Sequence, residues 1–147
     1  MSCRIVTAGI GGGKSSAMER LSHAAPCDGF ITDKHGGERY LRRISTGESV
    51  LLMSPSQVLG ARFRRWYISE EAFSEACSVL CSFRSGIVLI DEVGRLELEG
   101  RGFAPAIPVL LGREEVSLMI AVRSGLAEDV ISFFGIRDAA IVQASLI

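Results

Sequence analysis

A short apolar run, Cys3-Arg4-Ile5-Val6-Thr7, leads into Ala8-Gly9-Ile10-Gly11-Gly12-Gly13-Lys14-Ser15 and then into a helix-compatible stretch. Strand, glycine loop and helix in that order constrain the fold severely, because the loop must wrap an anion with its backbone N–H groups aimed inward. Side chains at Gly9, Gly11, Gly12 or Gly13 would obstruct that approach. The pattern is that of a phosphate-binding (Walker A) loop, with Ala8 where the strict motif has Gly, at a position that still belongs to the strand end. It predicts a nucleotide-binding set of Ala8, Gly9, Ile10, Gly11, Gly12, Gly13, Lys14, Ser15 and Ser16. Lys14 then reaches the β- and γ-phosphates of a nucleoside triphosphate, and the Ser15 hydroxyl ligates Mg²⁺.

A second element completes this expectation. Ile87-Val88-Leu89-Ile90 is an unbroken apolar run ending in Asp91-Glu92. A run without alternation reads as a strand buried on both faces, as in a parallel sheet, and its carboxylates then emerge at the C-terminal edge, where open α/β sheets bind ligands. Asp91 takes the Walker B role, holding Mg²⁺ through water.

The chain has 147 residues, which suits one domain over 1–147, and 48% hydrophobic against 22% charged residues make it globular and rather apolar. A net charge of −1 lacks the basic footprint that general nucleic-acid binding needs. The sequence enters its first strand without a hydrophobic signal core, and no apolar run reaches the length of a membrane span, so a cytoplasmic location is expected. No protein partner is readable. Cys3 and Cys27 stand in apolar strand contexts, while Cys77 and Cys81 share a helix face with Phe73 and Leu80; without a CxxC or a nearby His they read as core thiols. His23 and His35 stand apart, without companions for a metal or a base.

Strands are expected at about 3–8, 28–32, 39–45, 49–53, 87–90, 116–122 and 139–144, and helices at about 14–24, 70–83, 101–111 and 125–134. Lys34 to Glu38 reads as a turn and Ser54 to Gly60 as a loop. Ser69 is the expected N-cap of the second helix, with Glu70 and Glu71 in its first turn. The outcome is an α/β fold of the P-loop NTPase kind: a mostly parallel central sheet flanked by helices, with a small antiparallel meander inserted after the second strand.

On these residues the chain resembles the small P-loop nucleoside-triphosphatase family of the thermophile nucleoside-phosphatase and cancer-related nucleoside-triphosphatase type. Asp28-Gly29-Phe30-Ile31-Thr32 is similar to the family's Gly-Phe-x-Thr strand, and Trp66-Tyr67-Ile68 before Phe73 to its Tyr-x-Val segment. Asp91-Glu92-Val93-Gly94-Arg95-Leu96-Glu97-Leu98, with Phe103 after it, is the most specific match. The resemblance spans roughly residues 4–122 and implies slow hydrolysis of several nucleoside triphosphates to diphosphate and phosphate. Two stretches depart from the family. Glu38-Arg39-Tyr40-Leu41-Arg42-Arg43 replaces a richer basic turn with Gly-Phe, and the sequence ends at Ile147, where the family continues with an Asn-Arg-Asp element and a final helix. Insofar as that element holds the base, weaker affinity or selectivity is expected.

Phosphoryl transfer to water requires neutralised β- and γ-oxygens, a metal and a positioned water. Lys14, Ser15 and Asp91 meet the first two requirements, and Glu92 is placed to orient or deprotonate the water. Its presence beside Asp91 favours hydrolysis. A transition-state cation comes from Arg95, at a basic position of the family motif, or from Arg123. Arg62, Arg64 and Arg65, beside Trp66 and Tyr67, read as a phosphate lid, a solvated face or a partner site. Two rival readings remain: a nucleotide-binding switch or assembly factor with negligible hydrolysis, and a nucleotide or small-molecule kinase.

Overall fold

The computed structural model describes residues 2–9 and 13–147; Ile10, Gly11 and Gly12 of the expected loop lie outside them. In chain order the elements are β1 (Ser2–Ala8), α1 (Lys14–Ala24), β2 (Cys27–His35), β3 (Glu38–Arg43), β4 (Ser49–Ser54), β5 (Ala61–Phe63), β6 (Trp66–Ile68), α2 (Glu70–Ser82), β7 (Gly86–Ile90), α3 (Arg95–Leu98), α4 (Ala106–Leu111), β8 (Val116–Arg123), α5 (Ala127–Phe134) and β9 (Ala140–Gln143). The nine strands form one sheet in the order β5-β6-β4-β3-β2-β7-β8-β1-β9. β2, β7, β8, β1 and β9 run parallel, and β3, β4, β6 and β5 extend the sheet antiparallel from β2.

The parallel part follows from its apolar runs. Val88, Leu89 and Ile90 of β7 are at most 1% exposed because successive side chains enter opposite layers. Val88 and Ile90 join a large core with Ile5, Ile120, Phe73 and Leu110, under α2 to α5. Leu89 joins a smaller one with Val6, Ala121, Ala17 and Met18, under α1. β2 and β7 approach so closely that a Cβ on Gly29 (φ +132°) would lie 2.0 Å from the Leu89 carbonyl oxygen. That contact explains the glycine in Asp28-Gly29-Phe30. The Ser69 cap forms as expected, its Oγ accepting from the Ala72 N–H at 3.1 Å.

Several boundaries differ from the sequence reading. β2 continues to His35 and β3 starts at Glu38, so only Gly36 and Gly37 turn; both have positive φ, as a two-residue hairpin of this hand requires. The expected helix at 101–111 shortens to α4, because positive φ at Gly100 and Gly102 breaks the helical path before it. α3 was not expected, nor was the β5–β6 hairpin, whose strands are three residues each with Arg64 at φ +56° in the turn. α5 begins two residues late, after a single 3-10 turn at Ser124–Leu126.

Cys77 and Cys81 are half-buried against the large core and Cys3 is fully buried. Burial pushes the Cys3 and Cys77 thiols up to about 11, so they are held protonated. Among the described residues no helix is long and apolar enough to cross a membrane.

Candidate active site

The phosphate end of the site begins where β1 hands over to α1. Gly13 caps α1 with φ +87°, a backbone conformation glycine reaches at little cost, and its carbonyl accepts from Ala17 N–H at 3.0 Å. A Cβ at Gly9 or Gly13 would meet only open space among the described residues, so at Gly13 the constraint is the φ itself. Lys14 and Ser15 are half-buried and Ser16 is exposed, in the first turn of a helix whose positive dipole end faces the loop.

The carboxylates arrive from β7. Asp91 N–H donates to the Phe30 carbonyl of β2 at 3.1 Å, while Val93 N–H donates to Ala121 of β8 at 2.9 Å. Between them Glu92 adopts φ +61°, a left-handed conformation uncommon for a residue with a side chain. This turn leaves Asp91 inside and Glu92 at the rim. Ser15 Oγ donates to Asp91 Oδ2 at 3.0 Å, and Thr32 N–H donates to the same oxygen at 3.3 Å. Asp91 is fully buried, and its Oδ1 has no partner among the described residues. Burial first, then the neighbouring Glu92 charge, pushes its carboxyl up to about 6.

A buried, half-satisfied carboxylate beside a serine hydroxyl at a helix N-terminus suits a hard divalent cation. No cluster of three or more His, Cys, Asp or Glu side chains among the described residues could hold a metal alone. Ser15 and Asp91 would therefore hold Mg²⁺ together with phosphate oxygens and water, which is how P-loop sites bind it.

A cleft of about 530 Å³ opens beside this pair, lined by Lys14, Arg39, Trp66, Glu92, Arg95 and Arg123 among others. Lys14 and Glu92 therefore share one space. Arg95 is exposed at the start of α3, and Arg123 stands at the end of β8. The Arg62, Arg64 and Arg65 group belongs to the β5–β6 hairpin and stacks on aromatic rings: Arg62 over Tyr67 at 4.6 Å, Arg64 over Phe63 at 5.6 Å and Arg65 over Trp66 at 4.9 Å. Of the three, Arg64 lines the cleft.

Two residues of the site escaped the sequence reading of function. Arg39 of β3 donates from Nη1 to Glu92 Oε1 at 2.7 Å and to Oε2 at 2.5 Å. Glu97, at the back of the cleft, is 3% exposed and accepts from Gly94 N–H at 2.8 Å and Phe103 N–H at 3.1 Å. Burial pushes its carboxyl up to about 7 despite those two donors. No local signal marks Arg39 among Arg39, Arg42 and Arg43; Arg42 pairs instead with Asp33 and Glu19, and Arg43 with Asp28.

A five-stranded parallel core, a Lys-Ser helix start after its first strand and a buried aspartate tied to that serine define a P-loop α/β protein. A family model described as NTPase matches residues 3–142, and the chain belongs to that family. The fold is shared with THEP1 from the hyperthermophile Aquifex aeolicus at a TM-score of 0.78 and 16% identity, covering 97% of this chain and 89% of that one. It is also shared with a human cancer-related nucleoside triphosphatase at 0.73 and 18%, covering 97% and 88%. No protein of curated function matches the sequence. Membership in the NTPase family supports nucleoside-triphosphatase activity.

Proposed function

We propose that residues 1–147 form one nucleotide-binding domain that hydrolyses nucleoside triphosphates to diphosphate and phosphate, with Mg²⁺, slowly and with little preference for the base. The observation that carries this reading is the placement of Lys14 and Glu92 on one cleft beside the Ser15–Asp91 pair. Lys14 and the α1 N-terminus bind the β- and γ-phosphates. Bound Mg²⁺ would neutralise charge on the phosphate oxygens. Glu92 takes a proton from water as the water oxygen attacks the γ-phosphorus, the bond to the bridging oxygen breaks, and the diphosphate leaves. These side chains address phosphates, so discrimination falls on the phosphate chain more than on the base.

The test is Glu92→Gln, measured by single-turnover hydrolysis beside an equilibrium binding curve, with and without Mg²⁺. Binding should persist while hydrolysis falls by roughly 10²–10⁴, the usual contribution of a positioned general base. A wild-type rate in the variant would remove Glu92 from the mechanism. Tight binding without any turnover in the unmutated protein would leave a nucleotide-binding switch as the reading.

A further inference from the structure

The inserted antiparallel strands supply the site with a side chain that a phosphate cradle does not require. Arg39 sits where the register between β3 and β4 shifts, between Arg39 and Tyr40. Arg39 faces Met53 and Tyr40 faces Leu51, so the extra residue is Leu52 of β4, and such irregularities are over-represented beside active sites. From there Nη1 spans both oxygens of Glu92, at 2.7 and 2.5 Å, and the guanidinium carbon lies 5.0 Å from the centre of the Trp66 ring. The two side chains are 22% and 33% exposed, so the pair is partly shielded from water and from salt. Glu92 meanwhile holds a left-handed φ of +61°, a conformation that persists only where its surroundings over-determine it. Ion pair, stacked ring and strained backbone converge on the position of one carboxylate.

We propose that Arg39 is a positioning residue for Glu92, holding the carboxylate at the cleft rim in the orientation that meets the attacking water. The inference rests on the hydrolytic reading of Glu92. A carboxylate offers roughly four acceptor positions, and one nitrogen spanning both oxygens takes at most two, which leaves the others for water. Trp66 limits where the guanidinium can swing. The insertion thus belongs to the catalytic apparatus, and Arg39 acts on the rate through Glu92 without itself being asked to bind nucleotide.

The experiment compares the unmutated protein, Arg39→Gln, Arg39→Lys, Glu92→Gln and the Arg39→Gln/Glu92→Gln pair in steady-state and single-turnover hydrolysis of ATP, with thermal melts to confirm folding. Arg39→Gln should lower kcat by about 10–100-fold, the usual effect of losing a residue that orients a functional group, with KM nearly unchanged. Arg39→Lys should recover part of that rate, and Arg39→Gln should cost nothing further once Glu92 is Gln, since the two act as one unit. If Arg39→Gln does not fold, Arg39→Lys carries the test, with a smaller loss that vanishes in the Glu92→Gln background. A wild-type kcat in the Arg39 variants, or an equal loss with Glu92 already replaced, overturns the proposal while the hydrolytic reading stands. A wild-type rate for Glu92→Gln overturns that reading, and the positioning role with it.

Discussion

β7 and β3 flank the same strand, β2, and serve the same site in opposite ways. β7 is parallel to its neighbours, and Val88, Leu89 and Ile90 are almost completely buried, so its chemistry appears only where the chain leaves the sheet, at Asp91 and Glu92. β3 is antiparallel, with Leu41 its one fully buried residue, and contributes from within the strand, through Arg39, its second residue. A strand sealed on both faces can present polar groups only at its ends. A strand with a partly open face can present them anywhere along its length, provided each charge finds a partner.

That contrast can be broken by experiment, and the largest expected effect is on folding. Gly29→Ala places a Cβ 2.0 Å from the Leu89 carbonyl oxygen at the β2–β7 seam. It should cost more than about 3 kcal/mol and lower Tm by roughly 10 °C. Gly47→Ala, in the turn before β4, has φ +73° but nothing within 4 Å of the new methyl group, and should cost only about 1 kcal/mol. Similar melts for the two variants would show that the seam is no tighter than the insertion.

Next come two carboxyls whose pH responses should have opposite sign. Glu97 is raised from 4.5 to about 7 in the fold, so between those values the native state keeps a proton that the unfolded chain has released. Stability from this group is complete below pH 4.5 and declines as pH rises toward 7, by about 2–3 kcal/mol. Relative to Glu97→Gln, which cannot ionise, the unmutated protein should lose ground over that window in denaturant titrations. Glu38 in the insertion is lowered, chiefly by the Ser54 hydroxyl bond, so its contribution is present above pH 4.5 and is lost as pH falls further. A Glu97→Gln difference that does not change with pH would mean that the Glu97 carboxyl is ionised in the fold.

Lys14→Ala tests the phosphate end, where binding should weaken by roughly 10–100-fold from loss of a charge-assisted contact, with Tm unchanged. Unaltered affinity in a calorimetric titration would contradict the P-loop assignment of Lys14. The smallest effect is expected from Trp66→Leu, which removes the ring against Arg39 and should slow hydrolysis by about 2–5-fold, the scale of an exposed cation–π contact. A loss as large as that of Arg39→Gln would mean that the indole does more than steady the guanidinium.

Much of the parallel half was legible, because its signals are local. A glycine loop between strand and helix, a serine cap and an apolar run ending in two acids each announce themselves within ten residues, and Ser69, β7 and Lys14 stand where those signals put them. The insertion was legible only as a meander. β5 and β6 are too short for alternation to register, and their arginines, which read equally well as lid, solvated face or partner site, are stacked on aromatic side chains of their own hairpin. Arg39 looked like one of three basic residues in a run, because the Glu92 that distinguishes it lies 53 positions away in sequence.

By itself, then, the sequence determined that a glycine-rich phosphate-loop motif stands between a strand and a helix, and that two carboxylates follow a buried strand elsewhere in the same fold. Only the tertiary structure decided what meets what. β8, which follows β7 in the chain, inserts between β7 and β1, and across that separation Ser15 reaches Asp91 over 76 residues of sequence. The antiparallel pairing of β3 on β2 then brings one arginine out of three to Glu92. Propensity and periodicity act over a turn or two of chain, whereas strand order and register are settled by which surfaces can be buried together, a property of the whole sheet.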